Sequence, residues 1–299
     1  MQFYKRSMRC DLHVHTRHSG MCTIPVLRKV CRESYNDPLA VYERLKRLGM
    51  DLVTVTDHDS IDAAETLRSK PDFFLSEEVT CKLPSGTELH VGVYDITERD
   101  HVELQRRRND FESLARWLDG RSLFFSANHV FSSLTGRRAA EDFLLFESAF
   151  PALETRNGHM LARANGNAAA LADRAALAEV GGSDAHAMGS VGCTYTVAPR
   201  ARSKEEFLHA LRMGQGRVRG EMGGLWKLMR DVLSIGRSMV RENPWTAPVA
   251  ALGVAVPAVI LANYCIESVF ARWWMARYLR LRALREAGCG ATPIAEVAA

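Results

Sequence analysis

Short apolar segments alternate with amphipathic segments over the first 200 residues of this 299-residue chain. Continuous short apolar runs predict strands, and apolar residues spaced three and four apart predict helices. The predicted strands are 9–14, 52–56, 73–76, 88–93, 123–127, 152–155 and 180–182. The predicted helices are 38–48, 60–67, 101–119, 139–146, 162–178 and 203–213. This alternation indicates an α/β fold, built either as a barrel or as a doubly wound sheet.

A region of different character follows the first domain, which we expect to span residues 8–220. Residues 221–299 are predicted to form a helical tail whose segment 244–266 contains no charged residue. About 20 helical residues cross the hydrocarbon core of a bilayer, and Trp245 and Trp273 flank the segment as interfacial aromatic residues do. Its prolines and small residues make it only moderately apolar. A membrane segment and a helix buried against the first domain or a partner therefore both remain open.

The composition is that of a globular protein, with 47% hydrophobic and 25% charged residues. The formal net charge of +4 is concentrated after residue 225 and suits a membrane surface or a phosphorylated partner, although a solvated basic face explains it equally well. Seven cysteines without a CxxC spacing argue against a disulfide framework or a cysteine zinc site. The N-terminal residues contain no apolar signal-peptide core, so we expect a cytoplasmic catalytic domain.

Histidine and acidic residues gather in six short groups, each at or just beyond the end of a predicted strand. The groups are Asp11–Thr16, Thr56–Asp59, Glu77–Thr80, His90, Asn128–His129 and Ser183–His186. Residues two apart in a strand face the same side, so the spacing of His13 and His15 aims both imidazoles at one metal ion. Asp184 and His186 repeat this spacing. Three histidines outside the groups are predicted to have no role in the site: His101, His159 and His209. Of these, His101 and His209 are predicted to be solvated helix positions.

In combination, the six groups resemble the PHP family, the polymerase and histidinol phosphatase domains. The matching motifs are DLHVHT at 11–16, TDHD at 56–59, SEEVT at 76–80, His90, His129 and SDAH at 183–186. The resemblance spans about residues 8–220 and is closest to the branch of small nucleotide and bisphosphate phosphatases. It implies a distorted (β/α)7 barrel, here with a C-terminal helical extension, and a centre of two or three divalent metal ions (Zn, Mn or Fe).

The resemblance also implies a set of metal ligands. The implied ligands are His13, His15, Glu78 and Asp184 for one metal, Glu78, His90 and His129 for a second, and His58 and His186 for a third. Strand periodicity alone leaves Glu77 and Glu78 open, and the family pattern selects Glu78. Some family members supply a further histidine several residues after the first pair, whereas His18 stands at a shorter spacing here. The number of metals therefore stays at two or three.

A water molecule activated by the metal ions would attack phosphorus, so no side-chain nucleophile is required. Asp57 and His58 follow a predicted strand and lie beside the implied ligands. Either residue could donate a proton to the leaving oxygen. Asp57 could instead be a metal ligand. The candidate phosphate-binding residues are Arg137, Arg138, Arg156 and Asn157. For the first two arginines, surface salt bridges are an equally good interpretation.

We expect a metal-dependent hydrolase of phosphomonoesters, acting on a small molecule such as a nucleotide or a nucleoside bisphosphate. One alternative is a phosphodiesterase or exonuclease on short nucleic acids, although the sequence contains no dedicated nucleic-acid module. Another is a non-catalytic PHP scaffold tethered to a membrane. We also expect residues 1–225 to remain soluble and active without the tail.

Overall fold

A computed structural model describes residues 7–25 and 27–288, without the side chains of residues 250–252. The strands are β1 (Ser7–Cys10), β2 (Ser76–Lys82), β3 (Glu88–Tyr94), β4 (Phe124–Ala127), β5 (Ala152–Asn157), β6 (Ala178–Gly182), β7 (Thr194–Pro199) and β8 (Arg217–Gly220). They form a five-stranded sheet of order β2-β3-β4-β5-β6 and a three-stranded sheet of order β1-β7-β8. The α/β class predicted from the sequence is confirmed.

The helices cover both sheets and then continue as the tail. They are α1 (Pro38–Arg47), α2 (Ala64–Leu67), α3 (Glu98–Arg107), α4 (Phe111–Gly120), α5 (Ala140–Ala149), α6 (Ala162–Ala175), α7 (Lys204–Arg212), α8 (Leu225–Glu242) and α9 (Val256–Glu286). A 3₁₀ turn of three residues lies at Met188–Ser190, and a 3₁₀ segment of 12 residues lies at Pro244–Ala255. The start of α1 was expected: the Asp37 carboxylate accepts hydrogen bonds from the first-turn amides, and Pro38 has no amide hydrogen to satisfy.

The sheets do not close into a barrel within the described residues, so the predicted (β/α)7 barrel is not confirmed. A β/α repeat needs parallel strands, but β2, β3 and β4 pair antiparallel and only β4, β5 and β6 are parallel. The predicted strand 52–56 and the second half of strand 9–14 make only isolated bridges, Val53 with Phe73 and Val14 with Ala185. The bridge between His58 and Glu78 links the loop after residue 56 to β2.

The predicted helix 101–119 is two helices, α3 and α4. The break has a local cause, because the Asp110 side chain accepts a hydrogen bond from the backbone N of Ser113 and so starts α4. The Thr97 and Asp100 side chains form a capping box that starts α3 earlier than predicted. Apolar periodicity runs through both helices and therefore did not reveal the boundary.

The tail packs onto the first domain through α9. Trp274 and Tyr278 are buried in the same apolar cluster as Phe143, and the ring centroids of Trp274 and Phe143 are 5.6 Å apart. Glu267 is buried and accepts hydrogen bonds from the backbone N and the hydroxyl of Ser133. Removing α9 would expose part of the domain core, which argues against the expectation that residues 1–225 remain soluble and active alone; that expectation stays a prediction.

The predicted membrane segment 244–266 is divided between the 3₁₀ segment and the first third of α9. By length and composition, the helical stretch Gly253–Glu286 is long and apolar enough to cross a membrane, with a mean hydropathy of 1.7 in its most apolar window. Only 17% of that window is buried. The apolar character predicted from the sequence is thus present, but the C-terminal part of the same helix is docked on the domain.

Candidate metal centre

The His13–His15 pair follows β1 in an extended segment in which side chains alternate between two sides. Val14 is buried in an apolar cluster, whereas the Nε2 atoms of His13 and His15 lie on the other side, 3.0 Å apart. Gly182 at the end of β6 passes so close that an added Cβ would overlap the backbone of His13. This close approach places Asp184, two residues further on, with its Oδ1 3.2 Å from Nε2 of His15.

The remaining groups converge on this pair. Four overlapping sets each bring potential ligand atoms within 4.8 Å of one another: His13, His15 and Asp184; His13, Glu78 and His129; His58, Glu78 and His90; and His15, His58 and His186. Glu78 is central, because its Oε2 lies 3.1 Å from Nε2 of His13 and 3.2 Å from Nδ1 of His58, while its Oε1 lies 3.3 Å from Nε2 of His129. All eight residues of the implied ligand set therefore meet in one centre.

Several polar atoms of this centre are buried without a hydrogen-bond partner among the described residues. They are Nδ1 of His58, His90 and His129, Nε2 of His186 and Oε2 of Glu78. Buried polar atoms of this kind are costly unless something pairs with them. Imidazole nitrogens and carboxylate oxygens are the donors that Zn, Mn and Fe accept. The donor set therefore fits divalent metal ions.

The charges within the centre also suit cations. Burial alone would raise the pKa of Glu78, but the neighbouring His13, His90 and His58 hold it well below its usual value. Asp184 behaves in the same way, because the imidazoles outweigh burial and lower its pKa. Two carboxylates thus stay anionic deep inside the protein, at a place where positive charge stabilises them.

Two site residues adopt the left-handed backbone region, which favours glycine. The φ angle is 51° at Asp184 and 32° at His129. Such conformations cost about 1–3 kcal/mol and tend to cluster at functional sites. Here the backbone N of Asp184 donates to the carbonyl of His13, and that of His129 donates to Glu154, so the strained turns are held by the site itself.

Glu77 faces away from the centre although it neighbours Glu78. Its Oε2 lies 2.7 Å from Nδ1 of His101 and accepts a hydrogen bond from Gln105, both on α3. His101 is therefore half-buried and paired, which corrects its interpretation as a solvated helix position. The alternation along β2 thus turns Glu78 towards the histidines.

Sequence reasoning missed the residues that orient the first histidine pair. Oε1 of Glu154 lies 2.8 Å from Nδ1 of His13, and the Ser19 hydroxyl lies 2.9 Å from Nδ1 of His15. These contacts hold the Nδ1 side of each ring and leave Nε2 for a metal, as partners of metal-binding histidines commonly do. The available signal for Glu154 was an acidic residue directly after the apolar residues Ala152 and Leu153 of a predicted strand.

Asp57 does not face the metal centre, contrary to its predicted role as proton carrier or ligand. Its carboxylate accepts hydrogen bonds of 2.6 Å from the hydroxyls of Thr16 and Ser19 and from the backbone N of Thr16. Burial raises its pKa despite these bonds. With its oxygens so engaged, Asp57 positions Ser19 and thereby His15. His58, by contrast, belongs to two of the four ligand sets.

The predicted phosphate-binding residues are dispersed. Arg138 is buried, and its guanidinium donates to the carbonyls of Val130 and Glu88, so its role is structural rather than phosphate binding. Asn157 is also buried and donates 2.9 Å hydrogen bonds to Glu154 and Asp184, which makes it an orienting residue.

The other two candidate phosphate-binding residues are less enclosed. Arg156 is half-buried and donates to the carbonyl of Gly220. Arg137 is exposed on the loop that precedes α5, and its role in phosphate binding stays a prediction.

His159 lies beside the centre although it was predicted to be a bystander. Its ring centroid is 5.9 Å from that of His186, and its Nδ1 is buried without a hydrogen-bond partner in the described part of the chain. Its backbone N donates to the Asn157 side chain, so the tight turn after β5 places it there. His18 and His209 lie outside all four ligand sets.

Comparisons with known proteins relate part of the chain to one family. Residues 162–215 match the sequence profile of PHP_C, described as PHP-associated. No curated protein sequence matches the chain significantly. The profile match covers only part of the chain, and together with the histidine and acidic motifs that meet in one centre it supports the resemblance to the PHP domain family.

Three solved structures illustrate the similarity. PsfC from Pseudomonas syringae PB-5123 is 21% identical with a TM-score of 0.54, over 78% of this chain and 98% of PsfC. A Bifidobacterium adolescentis protein, proposed to be a metal-dependent phosphoesterase, is 14% identical with a TM-score of 0.45, over 69% and 96% of the two chains. The lesion-specific endonuclease PfuEndoQ from Pyrococcus furiosus is 18% identical with a TM-score of 0.47, over 71% and 58%. The likeness to PsfC supports a shared fold.

Proposed function

We propose that this protein is a metal-dependent phosphoesterase that hydrolyses phosphomonoesters of a small molecule, such as a nucleotide or a nucleoside bisphosphate. The observation that carries the proposal is the position of Glu78. Its Oε2 lies 3.2 Å from Nδ1 of His58 and its Oε1 lies 3.3 Å from Nε2 of His129, and these histidines belong to separate ligand sets. Divalent cations bound there supply an activated water and offset the negative charge of the phosphoryl group. The resemblance to the PHP family supports hydrolase chemistry.

The chain's own residues complete this chemistry in defined ways. Glu154 and Ser19 fix the orientation of His13 and His15, so the ligands need little rearrangement when cations bind. The more exposed members of the centre are His58, His186 and His90, with 14%, 16% and 19% of their side chains accessible. Substrate would therefore approach from their side, where His58 can transfer a proton to the leaving oxygen.

A basic cavity of about 350 Å³ offers a place for a second anionic group of the substrate. Arg17, Arg32 and Arg241 line it, together with residues from the loop before α1 and the end of α8. Arg32 directly precedes Glu33, whose Oε2 lies 3.7 Å from Nε2 of His58. The cavity and the metal centre thus share one loop, which supports a substrate with two negatively charged parts.

A substrate screen of the metal-loaded full-length protein tests this proposal. We expect the wild-type protein to release phosphate from mononucleotides and nucleoside bisphosphates. The Arg241→Gln substitution should raise KM for bisphosphates about tenfold, because a charge-assisted hydrogen bond to the substrate is lost. Arg237→Gln, about one turn earlier on α8 and outside the cavity, should leave KM unchanged. Cleavage of oligonucleotides alone would favour the phosphodiesterase alternative, and metal binding without any hydrolysis would favour the scaffold.

We also propose that the tail rests on an anionic membrane surface. One face of α9, from Ile260 through Tyr278, packs against the rest of the protein. The opposite face of the helix is therefore left uncovered. Exposed apolar residues there and nearby are Trp226 at 77%, Trp245 at 69%, Val254 at 86%, Val259 at 61% and Val269 at 61%. Several arginines of α9 accompany them, and this combination of apolar and basic residues is typical of helices that lie in a membrane interface.

Sedimentation with lipid vesicles tests the membrane proposal. The full-length protein should sediment with phosphatidylglycerol vesicles and much less with phosphatidylcholine vesicles, because both charge and apolar contact contribute. Combined Trp226→Ser and Trp245→Ser substitutions should reduce the bound fraction several-fold without lowering thermal stability, since both side chains are largely exposed. Equal binding by the double variant, or no binding by the wild type, would contradict it.

A further inference from the structure

Two cysteines face each other across the loop that joins His15 to α1. Met21 and Arg32 form an antiparallel bridge, so the next pair towards the tip of the loop is Cys22 with Cys31. The backbone N of Cys22 donates to the carbonyl of Cys31 at 3.0 Å. Directly opposed residues of this kind have Cα atoms about 5.5 Å apart, and disulfides join Cα atoms about 4.4–6.8 Å apart. The backbone therefore holds the two cysteines at a spacing that suits a disulfide.

The two thiols differ in how far solvent reaches them. Cys31 is buried, with 5% of the residue exposed. Burial, together with the nearby Cys22 sulfur, raises the pKa of the Cys31 thiol to about 11. Cys22 is half-buried, and both cysteines are free thiols in the structure. An oxidant from solvent therefore meets Cys22 first, and Cys31 is placed to react with the oxidised sulfur in a second step.

Towards its tip, the loop is held mainly by local hydrogen bonds. The backbone N of Leu27 donates to the carbonyl of Ile24, and the backbone N of Cys31 donates to the carbonyl of Leu27. The Ile24 residue is 55% exposed. Segments with few buried contacts and mostly local hydrogen bonds open more readily than the domain core. A covalent link between Cys22 and Cys31 would therefore hold together two arms that otherwise separate easily.

The arms of this loop carry residues that reach the mouth of the site. The backbone N of Glu33 donates to the carbonyl of Gly20 on the other arm, and the Glu33 carboxylate lies 3.7 Å from Nε2 of His58. Arg32 lines the basic cavity and donates to the Glu242 carboxylate at the end of α8. A bond at the cysteine pair, one residue beyond Arg32, would therefore fix the positions of these residues beside the metal centre.

We propose that Cys22 and Cys31 form a reversible disulfide when a hydroperoxide oxidises the protein, and that this bond fixes the two arms of the loop. Hydrogen peroxide converts the Cys22 thiol to a sulfenic acid and is itself reduced to water. The Cys31 sulfur then attacks the Cys22 sulfur, and the S–O bond breaks. The hydroxyl group leaves with the thiol proton of Cys31 as a second water. A dithiol reductant reverses the step by thiol–disulfide exchange and restores both thiols.

A reversible bond of this kind agrees with the cysteine pattern of the sequence. The spacing of the seven cysteines argues against a permanent disulfide framework. Disulfides in reducing compartments are usually transient and redox-sensing. The inference goes beyond the proposed function and does not depend on it, because it concerns the thiols of the loop and not the hydrolysis of phosphate.

Peptide mapping tests this pair directly. Full-length protein in a zinc-containing buffer is treated with hydrogen peroxide, its remaining thiols are blocked with N-ethylmaleimide, and it is digested with trypsin without reduction. Cleavage after Arg28 and Lys29 separates the two cysteines into peptides 18–28 and 30–32, so a disulfide appears as these two peptides joined. The wild type should give the joined peptides as the main product, and dithiothreitol should separate them. Hydrogen exchange of the loop amides should slow by about tenfold or more on oxidation, because the arms no longer separate.

Single substitutions provide the controls. Cys31→Ser should give no joined peptides and should leave a sulfenic acid on Cys22 that dimedone labels. Cys265→Ser removes an exposed cysteine outside the loop and should leave the joined peptides unchanged. If Cys31→Ser does not fold, Cys22→Ser at the less buried position replaces it, and Cys31 should then remain a free thiol. A folded, peroxide-treated wild type in which the pair stays unlinked, or links to Cys265 instead, would overturn the disulfide. A linked pair with unchanged hydrogen exchange would overturn its effect on the loop.

Discussion

Glu78→Gln is expected to abolish tight metal binding and to lower kcat/KM by about a thousandfold or more. Glu78 belongs to two ligand sets, and the variant replaces a charged oxygen at the centre of both with an amide. Divalent cations at such sites contribute several kcal/mol to stabilising the transition state, and about 1.4 kcal/mol corresponds to a factor of ten in rate. Elemental analysis and steady-state kinetics on the same preparation measure both effects.

The neighbouring glutamate provides the control for this prediction. Glu77 is equally buried, but its carboxylate is bonded to His101 and Gln105 on α3. Glu77→Gln should therefore keep the metal content and change kcat/KM by less than about threefold, while lowering stability slightly. If the two variants lost metal to the same extent, the assignment of Glu78 to the centre would be wrong.

Trp274→Ala is expected to lower the free energy of unfolding by about 3–5 kcal/mol, the usual cost of removing a large buried aromatic side chain. Trp274 is 7% exposed, and its ring stacks on Phe143 in the main apolar cluster of the domain. Trp274 and Phe143 are more than 100 residues apart in the sequence, so this contact joins distant parts of the chain. Urea unfolding monitored by circular dichroism measures the change.

Trp273→Ala is the matched control, because Trp273 is adjacent in sequence but 48% exposed. Its indole ring lies under the Arg277 guanidinium and against the edge of Trp274, so its loss should cost only about 1 kcal/mol. Equal destabilisation by the two variants would mean that α9 does not dock through the Trp274 side. A stable protein after complete removal of α9 would contradict the docking altogether.

The candidate metal ligands were predictable because their chemistry is local in sequence. Period-2 spacing places His13 beside His15, and the family motif selects Glu78, so eight candidate ligands could be named from the sequence, and the structure brings them together. Glu154, Ser19 and Glu33 could not be found in this way. Each reaches the centre through a tertiary contact, and an isolated serine or glutamate has no distinctive neighbourhood in the sequence.

The α/β class of the fold was predictable from the sequence, but whether the sheet closes into a barrel was not. Alternating apolar and amphipathic segments identify α/β architecture, yet they do not give strand direction, and the antiparallel pairing of β2, β3 and β4 departs from a regular repeat. The two short strands β7 and β8 were missed altogether. The tail was also ambiguous, because an apolar helix that docks on a domain and one that meets a membrane share the same composition.

Metal-dependent release of phosphate tests the central claim most directly. Full-length protein is stripped with a chelator, shown to remain folded, and assayed with a nucleoside bisphosphate as Mn²⁺ is added back. The proposed centre predicts no phosphate release from the stripped protein and a return of activity as the ligand sets around Glu78 fill. Hydrolysis that is unaffected by complete metal removal would contradict the account.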